Sequence, residues 1–222
     1  MIRRRLPLLL SLALALPSAY AAQFTAAELD AARALQARIL TLDGHLDTPA
    51  NFERPDFDIR HDHSGNALSQ VDLPRMDAGL LDGGFFTIYT GQSDRSPASL
   101  IADRDAGLRR LLAIHTTVSA HHDRLAIART PAEVAAIKAA GKRVVYISME
   151  NGSPVAGDLT LMKTFYDMGV RMMSPVHFAN NDLADSATDP KGPIHGGLSP
   201  LGKQFVAEAN RLGILLDASH AS

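Results

Sequence analysis

Histidine and carboxylate residues follow several apolar, strand-like segments of this 222-residue sequence. They are His45, Asp47, Glu150, His177 and His220. Imidazole and carboxylate groups are ligands of zinc, manganese and similar ions. Because the carboxyl ends of parallel strands meet at one edge of a sheet or barrel, we expect these side chains to lie close together. The pattern therefore predicts a metal site that can activate water for hydrolysis.

The spacing within this set indicates how two ions could be shared. His45 and Asp47 lie two residues apart, and side chains two apart on a regular strand face the same side. Both could then bind one ion. Glu150 has two carboxylate oxygens and could bridge two ions about 3.5–4 Å apart, a separation at which they activate a shared water.

Each residue taken singly also has a simpler interpretation. The His45-x-Asp47 pair fits a surface loop or a capped turn, and Glu150 fits the cap of a turn. His177 fits a core histidine with satisfied hydrogen bonds, and His220 fits a helix cap. These interpretations must all hold at the same end of successive strands, which favours a common site.

The elements that would position these residues alternate between strand and helix. Strands are predicted near residues 39–43, 85–89, 144–149, 170–176 and 214–218, with helices between them. Capping boxes at Thr25–Glu28 and Thr130–Glu133 mark two helix starts, and Ser-Pro pairs at 96–97 and 199–200 mark two more. This order predicts right-handed βαβ units, an α/β fold and a parallel sheet.

Composition excludes several classes of protein. Hydrophobic residues make up 46% of the chain and charged residues 21%, so an ordinary core can form. The formal net charge of −2 gives no electrostatic footprint for nucleic acid. The sequence has no cysteine, which excludes disulfides and thiolate chemistry. It also has no G-x-S-x-G elbow, no G-x-G-x-x-G motif and no P-loop.

The N-terminus has the three parts of a secretory signal peptide. Three arginines at 3–5 precede an apolar run at 6–16, and Ala19-Tyr20-Ala21 supplies a small-x-small cleavage site. We expect cleavage after Ala21, which leaves residues 22–222 as the exported chain, periplasmic or secreted, with no membrane span. An uncleaved anchor is the alternative, although the apolar run is shorter than the roughly 20 residues that span a bilayer.

Five segments of the chain resemble the motifs of the membrane (renal) dipeptidases, peptidase family M19. They are residues 42–49 (LDGHLDTP), 71–79 with Gly84-Phe85-Phe86, 148–152 (SMENG), 177–187 (HFANNDLADSA) and 197–222. Their order and spacing agree over nearly the whole chain after residue 21. The resemblance implies a (β/α)8 TIM-type barrel, of which this sequence holds about five of the eight βα units.

The resemblance also implies roles for the site residues. His45 and Asp47 would bind the first of two zinc ions, Glu150 would bridge both, and His220 would bind the second. His177 would contact the substrate and help to polarise its carbonyl. A hydroxide that bridges the ions would attack the peptide bond of a dipeptide, the small-molecule partner that the family implies. Whether a second copy of the chain is a further partner, in a homodimer, stays open.

The sequence ends at Ser222, before the positions at which the family has a further histidine ligand, a substrate-binding arginine and a late aspartate. We therefore expect a truncated chain that binds metal weakly and hydrolyses little. Two alternatives stay open: a non-catalytic fragment or binding protein of the same fold, and a lactonase or amidohydrolase of the wider superfamily.

Overall fold

The computed structural model describes residues 24–65 and 69–222, so the predicted signal peptide lies outside the described residues. The described residues divide into two compact units, which meet between Arg38 and Ile39 in the sequence. The described part of the first unit is helix α1 (Ala26–Arg38). Its predicted capping box is confirmed: the Glu28 N–H donates to Thr25 Oγ1 at 3.2 Å, and the Thr25 N–H donates to Glu28 Oε2 at 2.7 Å.

The second unit alternates strands and helices. Its strands are β1 (Leu42–Leu46), β2 (Gly83–Tyr89), β3 (Leu125–Ile127), β4 (Arg143–Glu150), β5 (Val170–Met173) and β6 (Leu215–Leu216). Its α-helices are α2 (Leu73–Ala78), α3 (Pro97–Ala120), α4 (Pro131–Ala139), α5 (Ser153–Ala156), α6 (Leu161–Asp167) and α7 (Pro200–Leu212), and a short 3-10 helix covers Thr48–Asn51. Among the described residues, no helix combines the length and apolarity that a membrane crossing requires.

All the paired strands run parallel, in the order β1-β2-β4-β5-β6. Strand β2 pairs with residues 144–150 of β4, while β3 and β5 pair with the first and second halves of β4. The sheet curves into a half-barrel, which confirms the predicted α/β fold and incomplete TIM-type barrel. Within the described residues, β1 and β6 end the sheet.

Several predicted strand bounds are wrong. The first strand was expected at 39–43 but lies at Leu42–Leu46, because apolar Ile39 and Leu40 are exposed and pairing with β2 fixes the strand. The second strand, expected at 85–89, begins two residues earlier at Gly83, and the three-residue β3 was not predicted. The last two strands are shorter than expected, so His177 and His220 each lie four residues beyond a strand end.

The two faces of β4 bury different clusters. Val145, Ile147 and Met149 face the outer helices, in a cluster with buried residues of α3 and α6 such as Leu111 and Phe165. Burial of one such side chain contributes about 1.5–3 kcal/mol. The alternate residues Val144 and Tyr146 form a second cluster with Phe85 and with Val134 and Ile137 of α4. By alternation Glu150 shares this inner face, so its carboxylate lies inside the half-barrel.

Candidate metal centre

Glu150 is placed by the best-supported strand of the sheet. Residues 143–149 are largely β-branched or aromatic and pair on both edges of β4, and Glu150 is the last residue of the strand, opposite Tyr89. The residue is only 8% exposed. A buried carboxylate requires partners that offset its lost hydration. Its partners are the imidazoles of His45, His177 and His220, at 3.2 to 3.5 Å from its oxygens.

His45 and Asp47 reach Glu150 from the irregular end of β1. The pairing of β1 with β2 shifts register between Asp43 and Leu46, and the His45 N–H donates to Asp43 Oδ1 at 2.9 Å. Asp47 lies beyond the strand in an αR conformation, before the 3-10 helix. Regular strand alternation, the predicted reason for their convergence, is therefore wrong. His45 Nε2 nevertheless lies 3.3 Å from Asp47 Oδ1 and 3.3 Å from Glu150 Oε2.

His177 and His220 approach the other oxygen of Glu150 from loops. His177 is 8% exposed, and its Nε2 lies 3.5 Å from Glu150 Oε1. His220 has a left-handed backbone with φ of 66°, and its Nε2 lies 3.2 Å from the same oxygen. The two imidazoles meet edge to face at 4.4 Å between ring centroids. The loop after β5 holds this arrangement, because the Ala187 N–H donates to the His220 carbonyl at 2.9 Å.

These side chains form two overlapping groups of potential metal ligands. One group is His45, Asp47 and Glu150, the other is Glu150, His177 and His220, and in each group the ligand atoms lie within 4.8 Å of one another. Ligands about 2.0–2.1 Å from a tetrahedral zinc ion are about 3.3 Å apart. The observed separations of 3.2 to 3.5 Å match that value and exceed those of a short charged hydrogen bond. The donor set and its geometry therefore fit zinc.

Neighbouring charges and burial shift the pKa values of the residues in this centre. Hydrogen bonding to Asp47 and Glu150 raises the pKa of His45 to about 10, and the same contact with His45 lowers the pKa of Asp47. Burial lowers the pKa of His177. Burial and the nearby carboxylates of Glu150 and Asp47 raise the pKa of Tyr89. The first ligand group thus strongly attracts positive charge.

An open cavity of about 720 Å³ extends from the two ligand groups. Phe178 forms part of its wall, and the residue is 60% exposed although its ring centroid lies 3.8 Å from that of His177 and 5.1 Å from that of His220. Tyr89 meets His177 edge to face at 5.1 Å. Sequence reasoning missed both aromatic residues. The adjacency of Phe178 to His177 was the available signal.

The family model of the membrane dipeptidases, peptidase family M19, matches residues 29–222. The chain belongs to this family. The M19 assignment confirms the resemblance that the five motifs predicted. It fits the geometry as well, because the motif residues at 45, 47, 150, 177 and 220 are those that converge.

The M19 relatives that this chain matches are longer than the chain itself. The Dipeptidase verJ of Clonostachys rogersoniana is 34% identical over 197 residues, which cover 85% of this chain and 50% of that protein. The probable dipeptidase PvdM of Pseudomonas aeruginosa has a TM-score of 0.78 and 28% identity, over 87% of this chain and 50% of its own. The chain therefore spans about half the length of the relatives that it matches.

A metallopeptidase of Rhodobacter sphaeroides adds a ligand to the comparison. Its crystal structure holds a phosphinate mimic of the dipeptide L-Ala-D-Ala. It matches this M19 chain with a TM-score of 0.68 and 26% identity, over 82% of this chain and 59% of its own.

The structure thus brings together all five residues that the sequence singled out. The separate roles that the resemblance implies, His177 as a substrate contact and the other four as ligands, stay predictions. By geometry alone His177 lies as near to Glu150 as the ligand candidates do.

Proposed function

We propose that this chain carries the metal centre of a zinc-dependent dipeptidase that binds two ions. One observation carries the proposal: each carboxylate oxygen of Glu150 faces histidine from a different part of the half-barrel, His45 on one side and His220 with His177 on the other. A single carboxylate shared in this way is the arrangement that a bridging ligand requires.

Within the proposal, each side chain has a defined task. His45 and Asp47 would hold one ion, His220 would hold the other, and Glu150 would contribute a ligand to both. Bound zinc supplies Lewis acidity and lowers the pKa of a water molecule to near neutrality. His177 lines the same cavity, and an imidazole N–H there can donate a hydrogen bond to the carbonyl oxygen of the scissile peptide.

Dipeptides are the proposed substrates. M19 membership and the dipeptidase relatives support this class, and the dipeptide mimic bound to the Rhodobacter sphaeroides enzyme supports dipeptides with a C-terminal D-residue. We also propose that the protein is exported, on the strength of the basic, apolar and small-residue pattern in residues 1–21.

Hydrolysis of L-Ala-D-Ala and L-Ala-L-Ala by zinc-loaded protein tests the proposal, with the tripeptide of alanine as a third substrate. We expect slow cleavage of both dipeptides, in keeping with the weak hydrolysis expected from the sequence, and no cleavage of the tripeptide. Glu150→Gln should lower dipeptide cleavage by at least about 100-fold, because it removes a shared charged ligand. Amino acid release, followed by chromatography, gives the rates.

The matched control is Glu133→Gln, which makes the same change at an exposed residue of α4. Glutamine still serves the capping box there, so activity should stay unchanged. Equal rates in wild type and Glu150→Gln contradict the proposal. Faster cleavage of a lactone than of any dipeptide favours the amidohydrolase alternative.

A further inference from the structure

Asn151 directly follows Glu150 and has an unusual backbone. Its φ is 68°, in the left-handed region, and the residue is fully buried. Glycine adopts this conformation freely, and asparagine is among the few other residues that tolerate it. Glycine is present at the following residue, Gly152, where a Cβ would overlap the Leu183 side chain, but not at position 151 itself. The left-handed turn alone therefore does not explain the asparagine.

The side chain of Asn151 supplies a reason. Its Nδ2 donates to the Thr90 carbonyl at 3.0 Å, just beyond β2. Its Oδ1 accepts from the Ser153 N–H at 3.3 Å and from Asn181 Nδ2 at 3.0 Å. The backbone N–H of Asn151 donates to Ser174 Oγ at 3.2 Å, just beyond β5. One residue thus joins the carboxyl ends of β2, β4 and β5.

Asn181 completes the connection from the long loop after β5. Its Nδ2 also donates to the Pro175 carbonyl at 2.7 Å, two residues before His177. Its Oδ1 accepts from the backbone N–H groups of Leu183 and Ala184 at 2.8 and 3.1 Å. Asn181 is 1% exposed. The two amides therefore connect, by hydrogen bonds, the residue after Glu150 to the backbone two residues before His177.

We propose that the Asn151–Asn181 amide pair is a positioning device that fixes the direction of the Glu150 carboxylate toward bound metal and of the His177 imidazole toward the adjoining cavity. A buried hydrogen-bonded network restricts the motion of the groups that it joins, and ligand direction controls metal geometry and affinity. The inference rests on the metal centre of the proposed function, but it does not depend on dipeptide hydrolysis.

Cobalt(II) alone is the probe, because its visible absorption reports coordination geometry. Asn151→Gly keeps the left-handed turn and deletes the amide, so it separates the backbone role from the side-chain role. We expect this variant to change the cobalt spectrum and to weaken cobalt binding by about 10-fold, the lower end of the cost of losing a direct outer partner of a ligand, because the amide acts through the backbone beside Glu150. Asn181→Ala deletes the same contact from the loop side and should give the same change.

The double variant tests whether the amides act as one unit. Its loss of cobalt affinity should be no larger than the greater of the two single losses, because residues that share one contact are not additive. Asn181→Ala also keeps the proposal testable if the Asn151→Gly protein does not fold.

The matched control is Asp82→Asn, at the opposite end of the sheet. Asp82 is buried and accepts hydrogen bonds from the Thr41 N–H at 2.9 Å and from Lys138 Nζ at 2.6 Å. This variant should lower the melting temperature and leave the cobalt spectrum unchanged, which shows that lost stability alone does not alter the spectrum.

Wild-type spectra and cobalt affinity in both asparagine variants overturn the inference. A wild-type protein that binds neither cobalt nor zinc overturns both this inference and the metal centre. A metal-loaded wild type that cleaves no dipeptide overturns only the proposed activity, while the cobalt spectra still decide the role of the amide pair.

Discussion

At the residue scale, Asp185 shows how the loop between β5 and α7 is held. The side chain is fully buried and accepts hydrogen bonds from the N–H groups of Ile194 at 2.9 Å, His195 at 2.9 Å and Gly197 at 3.0 Å. Burial alone would raise its pKa, but these donors outweigh burial and lower the pKa to about 2. The ionised carboxylate therefore organises the loop that carries His177 and Asn181.

Asp185→Asn should lower the melting temperature by several degrees at pH 7, because an amide cannot accept all of these bonds. A lowered pKa in the folded state means that the contribution is present above the ordinary pKa of 3.8 and is lost as pH falls through about 2. Thermal unfolding at several pH values should therefore show the gap between wild type and variant closing as pH falls.

The exposed residue Asp30 of α1 offers a control, since Asp30→Asn should change the melting temperature little at any pH. A gap for Asp185→Asn that stays constant from neutral pH to about pH 2 contradicts the role given to the Asp185 charge.

At the element scale, α7 packs very closely against the loop after β5. Gly202 lies in the first turn of the helix, and a Cβ at this position would overlap the Leu183 carbonyl oxygen. The Ser199 N–H donates to that same carbonyl at 2.9 Å, so the oxygen cannot move away freely. The glycine allows the helix start to lie directly on the loop.

Gly202→Ala should therefore lower the free energy of unfolding by about 1–3 kcal/mol, the usual cost of overpacking. Urea unfolding measures the change. Gly91→Ala is the control, because a Cβ at Gly91 meets nothing within 4 Å, and its effect should stay within about 0.5 kcal/mol. Equal losses in the two variants contradict this account of the packing.

The sequence predicted elements well where local composition and tertiary pairing agree. Residues 144–149 are mostly β-branched or apolar, and β4 was predicted to within a residue at each end. Strand β1 contains Asp43 and Gly44, which are poor strand formers, so only pairing with β2 makes it a strand. Local patterns contain no information on such pairing, and the bounds of β1 were wrong for that reason.

The sequence indicated the ligand-type residues of the candidate site but not the residues that hold them in place. His45, Asp47, Glu150, His177 and His220 stood out because polar ligand types followed apolar segments. Asn151 and Asn181 bond across thirty positions of sequence, and neither type signals a metal site. The left-handed backbone of His220 depends on the loop around it, which a strand pattern does not describe.

At the scale of the whole molecule, the half-barrel brings its candidate metal ligands together at the edge where its parallel strands end. Ligand candidates come from β1, from the end of β4, and from the loops after β5 and β6, so the fold as a whole makes the site. Because both ligand groups share the Glu150 carboxylate, the proposed centre predicts a specific number of metal ions per chain. Two ions require both ligand groups, and both groups require Glu150.

Zinc stoichiometry, by equilibrium dialysis with elemental analysis, tests this central claim most directly. We expect wild type to bind two equivalents, His220→Ala to retain one, and Glu150→Gln to lose both at zinc concentrations that saturate wild type, since the affinity of each ion falls by more than about 100-fold. Two equivalents retained by Glu150→Gln, or no zinc bound by wild type, would contradict a metal pair centred on this residue.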